Sequence, residues 1–229
     1  MITIRRFSYS VAPLTTLFLL TRQNCGRDWL NSSNGSRKQW AVNEVIQAAA
    51  ELQAVCQSQN WQFCFIGGLA LQRWGEPRQT IDADLSLFAG FGNEEPFIQV
   101  LLNHFAARIP EAAKFALERR VLLLTSSKGV GLDVALAALP YEALLIERSS
   151  YFIYPPDIPL RTCSAEDLIV LKAFAGRSQD WVDVEKVIVR QTGRLDWDYI
   201  REQLAPLAEL KEALEVLDQL EMRRIEFEQ

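Results

Sequence analysis

The sequence predicts an α+β chain: a sheet-containing core flanked by helices, followed by a helical C-terminal part. Three observations carry this. Two short β-patterned runs, Trp61–Ile66 and Ile81–Leu87, enclose a glycine pair and a short helical stretch. A second β-patterned pair, Val121–Thr125 and Val130–Ala137, is joined by a four-residue turn. Beyond Ser164 only helical periodicity remains. Strands mixed with helices and then helices alone is the element order of an α+β fold.

The elements follow in chain order. The polar, turn-rich stretch Asn31–Ser36 predicts a linker, so the folded part is expected to begin near Trp40. Val45, Ile46, Ala49, Leu52, Val55 and Cys56 recur at helical spacing and predict a helix over Asn43–Gln59. The run Trp61–Ile66 ends at Gly67-Gly68, which predicts a strand entering a tight turn, with a short helix over Leu69–Trp74. Residues 75–78 predict a loop, and Ile81–Leu87 alternates as a strand does. A helix is expected over Pro96–Ala107. Tyr151–Tyr154 and Leu160–Thr162 are short extended pieces among prolines. Ser164 with Asp167 resembles a capping box opening a helix that stops at Gly176. A further helix covers Asp180–Arg190. One or two more follow from 196 on, with Ile200, Leu204, Leu207, Leu210, Leu214, Leu217 and Ile225 as an apolar stripe that reads as intradomain core, with a partner-binding helix as the alternative.

Composition excludes several classes. The 229 residues are 49% hydrophobic and 23% charged, which excludes a disordered or low-complexity chain. The net charge of −5 is unevenly spread: residues 1–40 carry +5 and the remainder −10. An acidic body argues against broad, non-specific nucleic-acid binding, which needs a basic face. Four cysteines without CxxC spacing and a single His, His104, cannot build a convincing zinc site or a His-dependent nucleophile. No membrane span is expected. The run Val11–Leu20 after Arg5-Arg6 has the outline of a secretion signal. Pro13, Thr15 and Thr16 interrupt it, and no small-residue cleavage site follows. The expectation is therefore a cytoplasmic protein with reduced thiols. Its expected organisation is a poorly ordered basic extension over 1–40, a core over 41–162 and a helical part over 163–229.

The chemistry concentrates in few residues. Asp82 and Asp84 are two apart on a strand and share one face. Carboxylates that close repel, and a divalent cation relieves the repulsion. Asp133 offers a third carboxylate inside the apolar strand Gly131–Leu136, where a lone acid is costly unless paired or metal-bound. Three convergent acids suffice for two ions that activate an attacking hydroxyl and stabilise a leaving pyrophosphate. Gly67-Gly68 lets backbone approach phosphate at the positive end of a helix.

Gly67-Gly68, thirteen residues, Asp82-x-Asp84 and a third Asp on a later strand together resemble the nucleotidyltransferase superfamily with a polymerase-beta-like core. The wording Gly-Gly-x-Ala-Leu and Arg-x-Thr-x-Asp-x-Asp-Leu is most similar to the nucleotidyltransferase toxins of abortive-infection and toxin–antitoxin systems. Ser164–Leu168, Lys172, Ala175, Arg177, Asp180 and Asp183 are similar to their Lys…Arg…Asp…Asp helical motif. The resemblance spans roughly residues 43–190.

It implies a mixed-sheet nucleotidyltransferase core and a magnesium-dependent transfer, with manganese as an alternative ion. A nucleotidyl group would pass from an NTP to an acceptor hydroxyl on RNA, tRNA or protein. It implies Asp82 and Asp84 as metal ligands, Asp133 as the third carboxylate, and Lys172 at the triphosphate. Gly67 and Gly68 would shape the triphosphate loop, with Arg177 and Asp180 nearby. Arg78 and Thr80 either assist phosphate or serve as a salt bridge and a strand-start hydroxyl. Asp183 is expected to be a helix-surface or structural acid. A cognate antitoxin is the partner this branch implies. An antibiotic-modifying enzyme and a non-catalytic nucleotide- or partner-binding relative are the alternatives. Two positions depart from the pattern: Leu69 follows the glycines where many members have Ser, and Gln179 stands where related toxins often have Lys.

Overall fold

A computed structural model describes residues 42–228. The expected basic extension over 1–40, and Cys25 within it, lie outside the described residues. The elements run α1 (Val42–Ser58), β1 (Phe63–Phe65), α2 (Gly67–Trp74), β2 (Asp82–Phe88), α3 (Glu94–His104), β3 (Ala106–Ala107), α4 (Ala112–Arg119), β4 (Val121–Thr125), β5 (Gly131–Ala137), α5 (Pro140–Glu147), β6 (Ser150–Tyr154), β7 (Ile158–Thr162), α6 (Ala165–Ala175), α7 (Ser178–Arg190), α8 (Trp197–Leu210) and α9 (Glu215–Phe227). The fold is α+β, with a seven-stranded mixed sheet and a helical C-terminal part.

The sheet order is β3-β4-β5-β2-β1-β7-β6. β2 pairs parallel with β5 and antiparallel with β1, β4 and β5 form the expected hairpin, and β1 pairs parallel with β7. Alternation divides the residues of β2 and β5 between the two faces. Ala83, Leu85 and Leu87 pack with Leu132, Val134 and Leu136 in one core cluster, joined by Val45, Ile46, Ala49 and Leu52 of α1 and Ile98 and Leu101 of α3. Asp82, Asp84 and Ser86, with Asp133 and Ala135, take the opposite face. A second cluster joins Cys64, Ala70 and Leu71 to Leu168, Val184, Ile200 and Leu204 of the C-terminal helices.

Local chemistry explains the ends of α6 and the start of α8. Ser164 caps α6: its hydroxyl accepts the Asp167 N–H at 3.1 Å and donates to Asp167 Oδ2 at 2.7 Å. Gly176 ends α6 at φ +69°, a left-handed conformation that suits glycine. Asp196 caps α8 by accepting the Tyr199 N–H.

Some expectations change. The helix expected over Pro96–Ala107 stops at His104, because Phe105 is extended and Ala106–Ala107 pairs with β4. His104 is exposed there. The glycine pair lies in the first turn of α2 rather than before it. Helices α4 and α5 were not foreseen. Among the described residues, no helix is long and apolar enough to cross a membrane.

Since α6 carries Lys172, its cap bears on the site. Ser164→Ala is expected to lower stability by about 1 kcal/mol, read as a lower midpoint in urea unfolding.

Candidate active site

The three acids expected from the sequence lie in one row. The register sets Asp84 beside Asp133, and Asp82 beside Gly131. Residues paired across a sheet, and residues two apart on one strand, project from the same face. Asp82, Asp84 and Asp133 therefore share a face, at the end of β2 nearest α2. Asp133 is 6% exposed.

The start of α2 leans on this row. Gly67 has φ +60°, and a Cβ there would collide with Asp84 Oδ2. A Cβ on Gly68 would come within 2.5 Å of Thr80 Oγ1. Both glycines are thus required by close approach, and the first also by its backbone. Thr80 is buried. Its hydroxyl donates to the Asp82 carbonyl at 3.0 Å and lies 3.3 Å from Asp82 Oδ1. Thr80 therefore orients the start of β2.

The facing wall comes from α6 and α7. A cleft of about 180 Å³ lies between the walls, lined by Gly67, Gly68, Thr80 and Asp84 on one side and by Lys172 and Arg177, among others, on the other. Lys172 is 6% exposed, so its ammonium is buried in this wall. Its ammonium donates to Asp180 Oδ1 at 3.1 Å and to Asp183 Oδ2 at 2.6 Å. Arg177 donates to Asp180 Oδ2 at 2.5 Å and Oδ1 at 3.3 Å. Arg78 forks onto both oxygens of Asp183, each at 3.2 Å, and Gln179 donates to Asp183 Oδ1 at 3.2 Å. Arg78 thus forms the salt bridge weighed as one of its two readings, and Asp183 is a fully buried structural acid rather than a helix-surface one. Burial alone would raise the Asp183 carboxyl. The charge and hydrogen bond of Lys172, then those of Arg78, outweigh it and hold the pKa below its ordinary 3.8.

The loop after α2 lies along α7. Gln191 donates to the Trp74 carbonyl at 2.9 Å, Arg190 donates to the Gly75 carbonyl, Lys186 pairs with Glu76 at 2.6 Å, and Arg78 binds Asp183. The sequence marked residues 75–78 only as a loop.

Sequence reasoning also missed Arg108, whose Nη2 donates to Asp133 Oδ1 at 2.5 Å. The signal that could have found it is Gly131: an isolated glycine in a strand often marks a close approach. The described cysteines are buried and act as core residues. Burial pushes the Cys56 thiol up to about 12 and raises Cys64 and Cys163 as well, so none serves as a nucleophile at neutral pH.

The donor chemistry suits a hard divalent cation, since Asp82 and Asp84 supply only oxygens and magnesium commonly takes one or two carboxylates plus substrate phosphate. The triad as a whole fits less well. Among the described residues, no three His, Cys, Asp or Glu side chains are grouped to hold an ion, and Asp133 is paired with Arg108.

Asp183→Asn removes one of the two negative charges that face the buried Lys172 ammonium and puts an amide NH2 donor among its cations. A loss on the order of 3 kcal/mol is expected at pH 7, measured by urea unfolding. Because the folded carboxyl titrates low, its stabilisation is present above about pH 4 and is lost as the pH falls through the folded value. The Asn variant should lack that share of the acid-range loss.

No family model matches the chain, and no curated protein matches it. Solved structures with similar folds include an antigenic nucleotidyltransferase-like protein from Paracoccidioides brasiliensis, at 14% identity and a TM-score of 0.44, covering 79% of this chain and 94% of that one. The antibiotic-resistance factor ANT(2″)-Ia is similar at 15% identity and a TM-score of 0.41, covering 81% and 91%. The Thermotoga maritima CCA-adding enzyme complexed with tRNA is similar at 13% identity and a TM-score of 0.36, covering 82% of this chain and 52% of that one. These are distant likenesses of shape, and the chemistry is read from the chain's own residues.

Proposed function

We propose that this chain is a nucleotidyltransferase. The observation that carries the reading is the acid row: Asp82, Asp84 and Asp133 on one sheet face, with Asp84 against the glycine-rich start of α2 and Lys172 lining the same cleft. The reaction joins an acceptor hydroxyl oxygen to the α-phosphorus of an NTP. The bond from that phosphorus to pyrophosphate breaks, and the hydroxyl proton leaves to a base.

The chain's own groups divide the work. The backbone N–H groups at the start of α2 offer an anion site for phosphate, aided by the helix dipole. Gly67 and Gly68 keep that approach clear of side chains. Lys172 has two of its three N–H donors committed to Asp180 and Asp183, which leaves one for phosphate. Arg177, partly exposed and lining the cleft, adds positive charge there. Asp82 and Asp84 would hold a magnesium ion jointly with substrate phosphates, with Mn2+ as a substitute and a second ion shared with Asp133. Such an ion supplies positive charge to the phosphates as pyrophosphate leaves.

The acceptor on this reading is a hydroxyl of RNA, of a tRNA end or of a protein. The role is that of a toxin with a cognate antitoxin, in a cytoplasmic protein. An antibiotic or other small-molecule acceptor is the alternative within the same chemistry. A second reading, a non-catalytic nucleotide- or partner-binding relative, draws on the Arg108–Asp133 pair, which engages one of the three carboxylates.

The test is transfer of α-phosphate label from each NTP onto total RNA and total protein. Label transfer is expected in the wild type, falling at least about a hundredfold in Asp84→Ala. It should be lost on chelation and restored by Mg2+ or Mn2+. Equal silence of both chains with magnesium and all four NTPs supports the second reading. Activity that survives chelation contradicts the metal assignment. Growth arrest on expression, relieved by Asp82→Ala, tests the toxin role.

A further inference from the structure

Arg108 is built into the end of the acid row. It follows β3, and its backbone N–H donates to the Leu123 carbonyl at 3.0 Å. Leu123 pairs with Asp133, and Asp133 with Asp84. Leu123, Asp133 and Asp84 therefore form one row across β4, β5 and β2, which Arg108 extends from the residue after β3. The Arg108 side chain crosses β4 to reach Asp133.

A second, independent feature marks the seat. Gly131 lies in β5, opposite Asp82 on one side and Thr125 on the other. Its backbone is not left-handed, so no conformational need explains a glycine inside a strand. An added Cβ would stand 2.5 Å from Arg108 Nη1 and 3.5 Å from the Asp82 Cβ. Gly131 thus leaves room for a guanidinium that lies beside Asp82 and binds Asp133. The Arg108 side chain is 34% exposed and that of Asp133 is 7% exposed. An ion pair with one end in water is weak enough to exchange.

We propose that Arg108 is a positioning residue: it holds Asp133 as the resident counter-cation of the acid row and competes with a divalent cation for that carboxylate. The inference rests on reading the acid row as a divalent-cation site. It accounts for the engagement of Asp133 by a guanidinium. On this reading Asp133 joins a bound ion only when the guanidinium moves off.

The test is Mn2+ binding without nucleotide, followed by the electron paramagnetic resonance of free Mn2+, with thermal unfolding as the check on folding. Arg108→Gln should bind Mn2+ about five-fold tighter than the wild type. Gly131→Ala, which leaves the acids and Arg108 unsubstituted, should shift affinity the same way by displacing the guanidinium tip. Arg108→Lys should shift it less, because an ammonium still supplies charge. Asp84→Asn is the control for the site. Equal or weaker binding in folded Arg108→Gln and Gly131→Ala, with wild-type binding lost in Asp84→Asn, overturns the inference and leaves the site intact. Absence of Mn2+ binding in wild type, Arg108→Gln and Gly131→Ala alike overturns the cation-site reading and the inference with it.

Discussion

The parallel pairing of β2 with β5 is the constraint on which the site depends. Both strands alternate in step, so one register decides both faces at once. On one face Leu85, Leu87, Leu132, Val134 and Leu136 close the core against α1 and α3. On the other, Asp84 stands beside Asp133. A slip of one residue would turn the leucines outward and the carboxylates into the core. Each buried leucine is worth about 2 kcal/mol. Neighbouring carboxylates near a protein surface repel by a few kcal/mol per pair at 4 Å, on the order of 4 at an effective dielectric near 20. Packing on the first face therefore outweighs repulsion on the second. The apolar core holds the acids together against their own charge.

That arrangement leaves a residual cost, and the surrounding chain meets it with cations. Arg108 sits on Asp133. On the facing wall, Lys172 binds Asp180 and Asp183 and Arg177 binds Asp180, while Arg78 reaches Asp183 from the loop after α2. The cations of the cleft are thus already engaged with carboxylates. A polyanionic ligand would find few uncommitted side-chain charges there. Its positive contacts would come instead from backbone N–H groups at α2, from the remaining donor of Lys172, and from any ion it brings. The acidic composition of residues 41–229 has the same implication on a larger scale: positive charge in this chain acts locally and in fixed positions.

Much of this was legible in the sequence, for identifiable reasons. Alternation in Ile81–Leu87 gave the strand and the shared face of Asp82 and Asp84. Ser164 and Gly176 bracketed α6 because cap chemistry is local. Pairing partners were less accessible. A lone acid inside an apolar strand marked Asp133 as a candidate third carboxylate, but nothing within Gly131–Ala137 says which strand lies beside it, so its place next to Asp84 was not legible. The helix over Leu168–Phe174 is apolar all round, which marks a buried helix. That signal was available and marks Lys172 as a buried lysine. Helices α4 and α5 are eight residues each. The entry and exit of α4 are left-handed at Glu111 and Arg120, with no glycine to announce them. Helix α5 did carry a sign, Pro140 in its first turn with Glu142 behind it.

The hardest feature to read was the joint that sets the width of the cleft. Trp74, Gly75, Glu76 and Arg78 bind Gln191, Arg190, Lys186 and Asp183 in antiparallel order, so the loop between α2 and β2 is laid against α7 over its length. The same loop leads into Thr80, which supports Gly68 from below and orients Asp82. Helix α7, through Asp180 and Asp183, also holds Lys172. One helix therefore grips both walls: the glycine and acid wall by way of the loop, and the Lys172 wall directly. Asp183 is the shared point, since Arg78 from one wall and Lys172 from the other meet on its two oxygens. A buried acid with two cations from different elements fixes a distance, not only a charge. That is why a residue outside the cleft lining belongs to the site's construction.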